Sequence, residues 1–273
     1  MPGRWSFSAG AASDNRSKDA SKSDGDPFVW GAAEWESDSG LFYVSPAAET
    51  IKSGGSELEV ELAGGVRPQW AGFDFDLNVA HKWRVDANPG YDANAWEFTA
   101  DMKRSIGPAS ARLRLQHSPD GAGSVKAWTW VAVRGGWDFT DKLNVSAEIG
   151  RREQDNSVDY TGYNIGASYA LTRNLEAELR WHGTNAKVPG EQYADALVAG
   201  ISATVMTFRP TTLERAYQLA ESGGCRTVGD VKQALKLEGY ERIQDALYGS
   251  TITSALRKLC QENWVSPPET AEP

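Results

Sequence analysis

The sequence has no apolar stretch that approaches the roughly 20 residues a membrane-spanning helix requires. The mean hydropathy of -0.49 excludes a helical membrane protein, but strands that are half polar average to similar values in β-barrels. Basic residues are in the minority, because 28 Lys and Arg stand against 37 Asp and Glu and give a net charge of -9. This balance argues against nucleic acid as the principal partner.

Motifs for catalysis and metal binding are also missing. The histidines, His81, His117 and His182, each stand alone on a predicted strand with no partner at metal-ligand spacing. The sequence contains no glycine-rich phosphate loop, no nucleophile elbow and no Cys/His cluster. We therefore expect neither an enzyme nor a protein with a cofactor or a metal.

Cysteine is scarce, and both residues, Cys225 and Cys260, lie in the C-terminal part of the chain. In an oxidising periplasm they could form a disulfide, which for a loop of that length contributes about 3 kcal/mol. The alternative is a pair of free buried thiols, since cysteine is among the most buried residue types. The sequence leaves both possibilities open.

Strict alternation of apolar and charged residues is what the chain does have, and residues 56–82 show it best. In a strand, successive side chains point to opposite faces, so this segment predicts a hairpin with one apolar and one charged face. The apolar row is Leu58, Val60, Leu62, Phe73, Phe75, Leu77 and Val79, and the polar row is Glu57, Glu59, Glu61, Asp74, Asp76 and Asn78.

The same pattern predicts about twelve strands, at residues 5–11, 28–36, 41–47, 56–66, 73–82, 95–103, 111–117, 125–137, 143–149, 163–169, 175–181 and 197–205. The connections alternate between long and short, from a long mobile loop at 13–26 and a short turn at 37–40 to a longer loop at 49–55 and onward. One-sided short turns favour an antiparallel up-and-down β-barrel over a β-sandwich. The predicted fold is therefore mainly β: a barrel followed by a small α-helical bundle.

Charged residues of both signs occupy one parity of nearly every strand, which in a barrel would be the face toward the lumen. The acids would face the bases across the pore and produce a transverse field that admits small hydrated solutes of either sign. The alternative is that these charges pair and fill a narrow, non-conducting barrel. The candidate lumen-lining residues are Glu57, Glu59, Glu61, Asp74, Asp76, Glu97, Asp101, Arg112, Arg114, Lys126, Arg134, Glu148, Glu176, Glu178 and Arg180.

Aromatic residues fall near strand ends, where an interfacial girdle of a membrane barrel would use them. Packing at the edge of an ordinary sheet is the simpler alternative for any one of them. The candidate girdle residues are Trp35, Trp83, Trp96, Trp137, Phe139, Tyr160, Tyr169 and Trp181.

The C-terminal part is a different kind of sequence. Apolar residues at helical spacing predict a helix over 212–222, a second one that begins at Thr227 with Asp230 three residues later, a short segment near Ile243, and a last helix from Ser250. The predicted domains are a barrel at 1–208, a module of three or four helices at 209–265 and a disordered tail at 266–273.

The N-terminal part resembles the TorF-type porins, a family of bacterial outer-membrane proteins, over about residues 4–205. The resemblance is carried by Asp26-Pro27 after the first loop, by the hairpin at 39–44 and by the acidic fourth strand at 56–66. It implies an outer-membrane barrel with a channel function. The chain departs from the family in continuing beyond the final strand, which ends at Phe208. The helical part resembles small modules of alphaproteobacterial genomes, a match that implies no activity.

The sequence as a whole predicts a porin-like channel for passive diffusion of small polar solutes, with outer-membrane lipid around the barrel and the helical module in the periplasm, where it could bind a protein partner. Residues 1–5 carry no apolar signal region, so we expect a secretory signal encoded upstream. The alternative is a soluble or non-conducting β-sheet protein whose helices bind a partner. Those helices could imitate a helix-turn-helix, but Arg257 and Lys258 are the only clustered bases on the last helix, so DNA binding is not favoured.

Overall fold

The computed structural model describes residues 3–206, 212–238, 240, 243–247 and 249–265. The chain divides into two compact units, a β unit at Arg4–Thr207 and a helical unit in the C-terminal part. The predicted tail at 266–273 and the predicted boundary at 208 lie outside the described residues.

Twelve long antiparallel strands form the β unit. Strand bounds extend past the predicted ones by a few residues at most ends, because the alternation continues into positions that look like loop in the sequence. The strands are β1 Gly3–Ala12, β2 Phe28–Ser37, β3 Phe42–Ser53, β4 Ser56–Val66, β5 Phe73–Val85, β6 Asn94–Ile106, β7 Ala109–Ser118, β8 Trp128–Asp138, β9 Leu143–Gln154, β10 Tyr160–Ala170, β11 Leu175–Thr184 and β12 Ala196–Met206.

The sheet closes on itself. Each strand pairs with its neighbours in sequence, β4 pairs with β5, and β1 pairs with β12 from Ser6 opposite Met206 to Ala12 opposite Gly200. Closure leaves no edge strand among the long strands, so every backbone ladder has a partner on both sides. The predicted antiparallel up-and-down barrel of about twelve strands is confirmed.

The polarity of the barrel is inverted relative to a soluble sandwich. On β4, Leu58 and Leu62 are 38% and 47% exposed on the outer surface, whereas Glu59 between them is 3% exposed. The same alternation runs around the barrel, with Val, Leu, Ile, Phe and Trp outside and Ser, Asn, Glu, Arg and His among the buried residues. The period of two in the sequence therefore becomes an apolar exterior and a charged interior.

Two predicted details are wrong. The longer loop expected at 49–55 is instead the end of β3 and a two-residue turn, in which Gly54 and Gly55 have φ of +60° and +83°. Two left-handed residues give the turn whose twist matches a tight hairpin, and glycine adopts them without a side-chain clash. Tyr160, predicted for the outer girdle, is fully buried inside the barrel, whereas Trp83, Trp96, Trp137, Phe139, Tyr169 and Trp181 are exposed.

The predicted mobile loop at 13–26 is the largest correction. Residues 13–27 are here called the inward segment; its residues 14–23 fold into the barrel, and Asp14, Asn15, Asp19, Ser21 and Ser23 are all buried, whereas residues 24–27 are exposed. The segment contains a short hairpin in which Arg16 and Ser17 pair with Ser21 and Ala20. Its polar composition predicts exposure to solvent, but the barrel interior is itself polar and provides hydrogen-bond partners for the same side chains.

The helical unit follows the predicted pattern. Its helices are α1 Thr212–Glu221, α2 Val228–Leu237, the single turn α3 Ile243–Ala246 and α4 Ser250–Asn263. The predicted capping box is present, with the Thr227 hydroxyl accepting from the Asp230 amide and the Asp230 carboxylate accepting from the Thr227 amide. Residues from several helices, among them Ala216, Val231, Leu235, Leu256 and Cys260, form its buried core.

The two cysteines are free thiols in this core, and both are buried. Burial raises the pKa of the Cys225 thiol and of the Cys260 thiol above the ordinary cysteine value. The structure thus has the arrangement with two buried thiols, one of the two possibilities that the sequence leaves open.

Candidate functional site

A cavity of about 640 Å³ lies among the inward side chains of the barrel. Strand parity brings these residues together, because every second residue of each strand points to the inner face of the barrel. Ten of the candidate lumen residues border it: Glu59, Glu61, Glu97, Arg112, Arg114, Arg134, Glu148, Glu176, Glu178 and Arg180.

The other five candidates lie elsewhere. Glu57 is exposed and borders a separate pocket with Val29 and Ile201. Asp74 is exposed and accepts from Gln69 Nε2 at 2.9 Å. Asp76 accepts from the Tyr43 hydroxyl at 2.7 Å, and Asp101 receives two donors from Arg114.

Lys126 lies in the connection before β8, because that strand begins at Trp128 and not at the predicted residue 125. Its ammonium is 2.6 Å from an Asp92 carboxylate oxygen and 3.5 Å from an Asp120 oxygen. The hydrogen bond with Asp92 raises the pKa of Lys126 above its ordinary value. This lysine therefore ties loops together and does not belong to the barrel wall.

Charges inside the barrel pair locally. Arg114 is directly opposite Asp101 in the β6–β7 register and donates to it at 2.8 and 2.5 Å. Arg112 donates to Glu148 at 2.6 Å, and Arg180 donates to Glu178 at 2.8 Å. The predicted transverse arrangement, with acids on one wall facing bases on the other, is wrong because these acids form salt bridges with nearby arginines and not with bases across the lumen.

Glu59 is the centre of the largest network. Its carboxylate accepts from Lys22 Nζ at 2.7 Å and from Arg84 Nε at 3.2 Å, and Lys82 Nζ is 3.7 Å away. Lys82 also lies 3.1 Å from Glu61 and 3.3 Å from Glu97. A buried carboxylate is tolerated only with such partners, so the network fixes β4, β5 and the inward segment together.

The tip of the inward segment is a left-handed turn inside the barrel. Lys18 and Asp19 have φ of +55° and +64°, the conformation of the two central residues of a tight hairpin turn. The Lys18 ammonium lies 4.3 Å from the centroid of the Trp128 ring and 3.8 Å from Glu97. Ala20, beside the tip, packs in a buried cluster with Trp128, Trp130, Ala132, Tyr160 and Tyr193.

Polar contacts hold the tip against the opposite wall. Asp19 Oδ1 accepts from Asn164 Nδ2 at 2.7 Å and lies 2.8 Å from His182 Nδ1, and the Tyr160 hydroxyl donates to the Lys18 carbonyl at 2.8 Å. Arg16 donates to the Ala194 carbonyl at 2.6 Å. His182, which in the sequence is an isolated residue, is thus a contact of the inward segment.

A second cavity, of about 280 Å³, borders the inward segment and the loops around residues 122–125 and 192–193. Ser17, Lys18, Lys22, Glu59, Lys82 and Glu97 border both this cavity and the larger one. The inward segment therefore lies between two internal spaces and borders both of them.

Sequence reasoning missed much of this interior. Absent from the candidates are Lys18, Lys22, Glu34, Glu36, Glu49, Arg67, Lys82, Arg84 and Arg152, all of which make internal contacts. Strand parity alone could have found Glu34, Glu36, Glu49, Lys82, Arg84 and Arg152. No pattern in the sequence marks residues 13–27 as an interior segment.

Among the described residues, no group of three His, Cys, Asp or Glu side chains is placed to hold a metal ion. Over the same ranges, no helix combines the length and the apolar character needed to cross a membrane.

The closed twelve-stranded barrel with a charged interior has the fold of porins of known structure. The structure is similar to that of the KdgM porin, with a TM-score of 0.53 and 9% sequence identity, covering 75% of this chain and 99% of that one. A second structure, the KdgM porin in complex with disordered oligogalacturonate, matches with a TM-score of 0.50, 9% identity and the same coverage. At these identities the likeness shows a common fold.

The chain belongs to the family described as bacterial protein of unknown function (Gcw_chp), whose model matches residues 2–211. The match spans the barrel. No curated protein sequence is detectably similar to this chain.

Proposed function

We propose that the protein is an outer-membrane porin-like channel for passive diffusion of small polar solutes. The inverted polarity of the closed barrel carries this proposal: charged residues surround a cavity of about 640 Å³ while large apolar side chains cover the outside. A barrel satisfies its backbone hydrogen bonds internally, so an apolar exterior is stable in hydrocarbon and a polar interior holds water. The fold shared with the KdgM porin supports the same conclusion.

The termini of the barrel support an orientation. β1 begins and β12 ends at the same end, which also carries the short connections 38–41 and 107–108. Short turns face the periplasm in outer-membrane barrels. We therefore place the helical module in the periplasm, where a protein is its expected partner, and the long connections outside. The kinship with TorF-type porins stays an interpretation.

The proposed lumen-lining residues are the ten that border the cavity, with Asp76 and Asp101 holding neighbouring side chains in place. Glu57 and Asp74 are exposed and would meet solute only at the two mouths of the barrel. We do not retain Lys126 in this role, since it binds loop carboxylates.

A non-conducting barrel is the second candidate, and one observation favours it. The inward segment lies between the two internal cavities and binds both walls, and most of the charges around it are paired. A fixed segment of this kind would leave a stable barrel with little conductance.

Reconstitution of the full chain separates these candidates. The protein is refolded in detergent, shown to be folded by heat-modifiable gel mobility, and added to planar bilayers and to dextran-loaded liposomes that are diluted into isotonic arabinose or glucose. Discrete conductance steps and liposome swelling are expected for a channel. A folded, inserted barrel that gives neither is the non-conducting candidate, and a monodisperse protein without detergent would overturn both.

A further inference from the structure

Two arginines inside the barrel differ from the others in having no carboxylate partner. Most internal arginines form salt bridges, namely Arg16 with Asp14, Arg67 with Glu34, Arg84 with Glu59, Arg112 with Glu148, Arg114 with Asp101 and Arg180 with Glu178. Within the described ranges, Arg134 and Arg152 form none. Each borders one of the two cavities.

Arg134 borders the larger cavity. Its Nη2 donates to the Ser146 hydroxyl at 2.7 Å, and Arg180 Nη2 donates to the same oxygen at 2.9 Å. Two guanidinium groups thus converge on one neutral acceptor. A guanidinium has five N–H donors, and Ser146 is the one side-chain partner of Arg134 in the described part of the chain. The remaining donors are available to a ligand in the cavity.

Arg152 borders the smaller cavity. Its guanidinium carbon lies 4.7 Å from the centroid of the Trp128 ring, which also carries the Lys18 ammonium at 4.3 Å. Its Nε is buried and has no hydrogen-bond partner among the described residues, a state that it shares with the Nε of the salt-bridged Arg112. A buried, unsatisfied donor of a cation is costly unless a ligand supplies the acceptor.

The two arginines follow one another along the barrel wall. Arg134 is opposite Glu148 and Arg152 is opposite Trp130 in the β8–β9 register. Four residues along a strand separate these levels by about 13 Å. Lys18, at the tip of the inward segment, borders both cavities. A solute passing from one cavity to the other would meet Arg152 and Lys18 beside Trp128 and then Arg134, with the carboxylates Glu59 and Glu97 also bordering both cavities.

We propose that Arg152 and Arg134 form two successive binding stations for small organic oxyanions, that is, polar solutes that carry a carboxylate or phosphate group. The planar guanidinium fork binds such groups through two parallel hydrogen bonds. This assignment rests on the proposed passage of solutes, and it names their charge class. It departs from the sequence-based expectation that a transverse field admits small hydrated solutes of either sign.

Binding is tested on the folded full chain in detergent by isothermal titration with sodium gluconate, glycerol 3-phosphate and glucose, a neutral sugar of the same size as gluconate. At least one of the two anions should bind, and glucose should not. Arg134→Gln and Arg152→Gln should each weaken anion binding about tenfold, the usual effect of losing one charge-assisted hydrogen bond. Arg134→Lys, which keeps the charge, should lose less.

The matched control is Arg151→Gln, the same change one residue away. Arg151 is about half exposed and lies 3.6 Å from Asp159 outside the cavities. The Arg151→Gln variant should bind the anions with the affinity of the wild type. An equal loss in Arg151→Gln would assign the effect to overall charge and overturn the proposal, as would equal affinity of the wild-type chain for glucose and gluconate.

Conductance is measured separately from binding. In a potassium chloride gradient the wild-type reversal potential should indicate anion preference, and Arg134→Gln should shift it toward cations. Anion binding without conductance would support the stations and refute the channel. Conductance without anion preference or anion binding would support the channel and refute the stations. Binding of gluconate alone identifies a carboxylate as the recognised group, and binding of glycerol 3-phosphate alone identifies a phosphate.

Discussion

Replacing Gly162 with alanine should displace the tip of the inward segment. Gly162 lies on β10 beneath Asp19, and a Cβ at this position would be 2.6 Å from Asp19 Oδ2 and 2.8 Å from Asp19 Cβ. Real Cβ contacts are longer, so either the strand or the tip must move. The strand is held by ladders on both sides, and the tip is the part that can yield.

The size of the effect follows from the packing. Overfilling a tightly packed site costs about 1 to 3 kcal/mol. Applied to the equilibrium between the inserted and the withdrawn segment, this is a change of about 5- to 150-fold. The hydrogen bonds of the Asp19 carboxylate with Asn164 and His182 would weaken at the same time.

Hydrogen exchange reports the equilibrium directly. The Ser21 amide donates to the Gln192 carbonyl and the Lys22 amide to the Asn15 carbonyl, at 2.7 Å each. In Gly162→Ala both amides should exchange about 5- to 150-fold faster than in the wild type, and single-channel conductance should rise because the passage between the cavities widens. Gly135→Ala is the matched control, since a Cβ at Gly135 has no atom within 4 Å. Unchanged exchange and conductance in Gly162→Ala would refute the reasoning that the tip of the inward segment, and not the strand, yields to the added Cβ.

Three further predictions concern other contacts. Glu59→Gln leaves Lys22, Lys82 and Arg84 with less compensation and should lower the unfolding free energy in urea by about 3 to 5 kcal/mol, whereas the exposed Glu57→Gln should change it little. Thr227→Ala removes one half of the capping box and should destabilise α2 by about 1 kcal/mol, measured as faster exchange of the Val231 amide, with no change in the barrel amides. Because burial raises the pKa of Cys225 and Cys260, alkylation by iodoacetamide should be slow at pH 8 in the native protein and fast after unfolding. The unfolded thiols ionise at lower pH than the folded ones, so the contribution of the two buried neutral thiols to stability is fully present below the unfolded pKa and is lost as pH rises through the folded pKa. Equal alkylation rates of the native and the unfolded protein at pH 8 would contradict the raised pKa values.

The sequence was sufficient for the barrel because the relevant signal is local. Leu58 and Leu62 occupy one parity of the strand and Glu59 the other, and this local pattern determines which face is outside, independently of distant parts of the chain. Strand ends were less certain, since Glu49 and Ile51 continue the inner row of β3 into residues that read as a loop. The signal for the helical unit is also local, because Thr227 and Asp230, three residues apart, form the N-terminal cap of α2 with each other.

The site could be predicted only in part, because its contacts are long-range. Asp101 and Arg114 are both on strands and their inward parity was visible, but the choice of partner depends on register. The inward position of Asp19 depends on Asn164 and His182, which no local pattern connects to it. A polar segment bounded by strands is equally compatible with bulk solvent and with a polar interior, and only the closed barrel distinguishes them.

The anchoring of the inward segment also sets an order of events in assembly. Its contacts join Lys18 to Tyr160 across 142 residues, Asp19 to His182 across 163 and Arg16 to Ala194 across 178. These partners lie on β10, on β11 and just before β12, so the contacts can form only after most of the β unit has been made. Insertion of the inward segment is therefore a late step of folding, and protection of its amides from hydrogen exchange reports closure of the barrel.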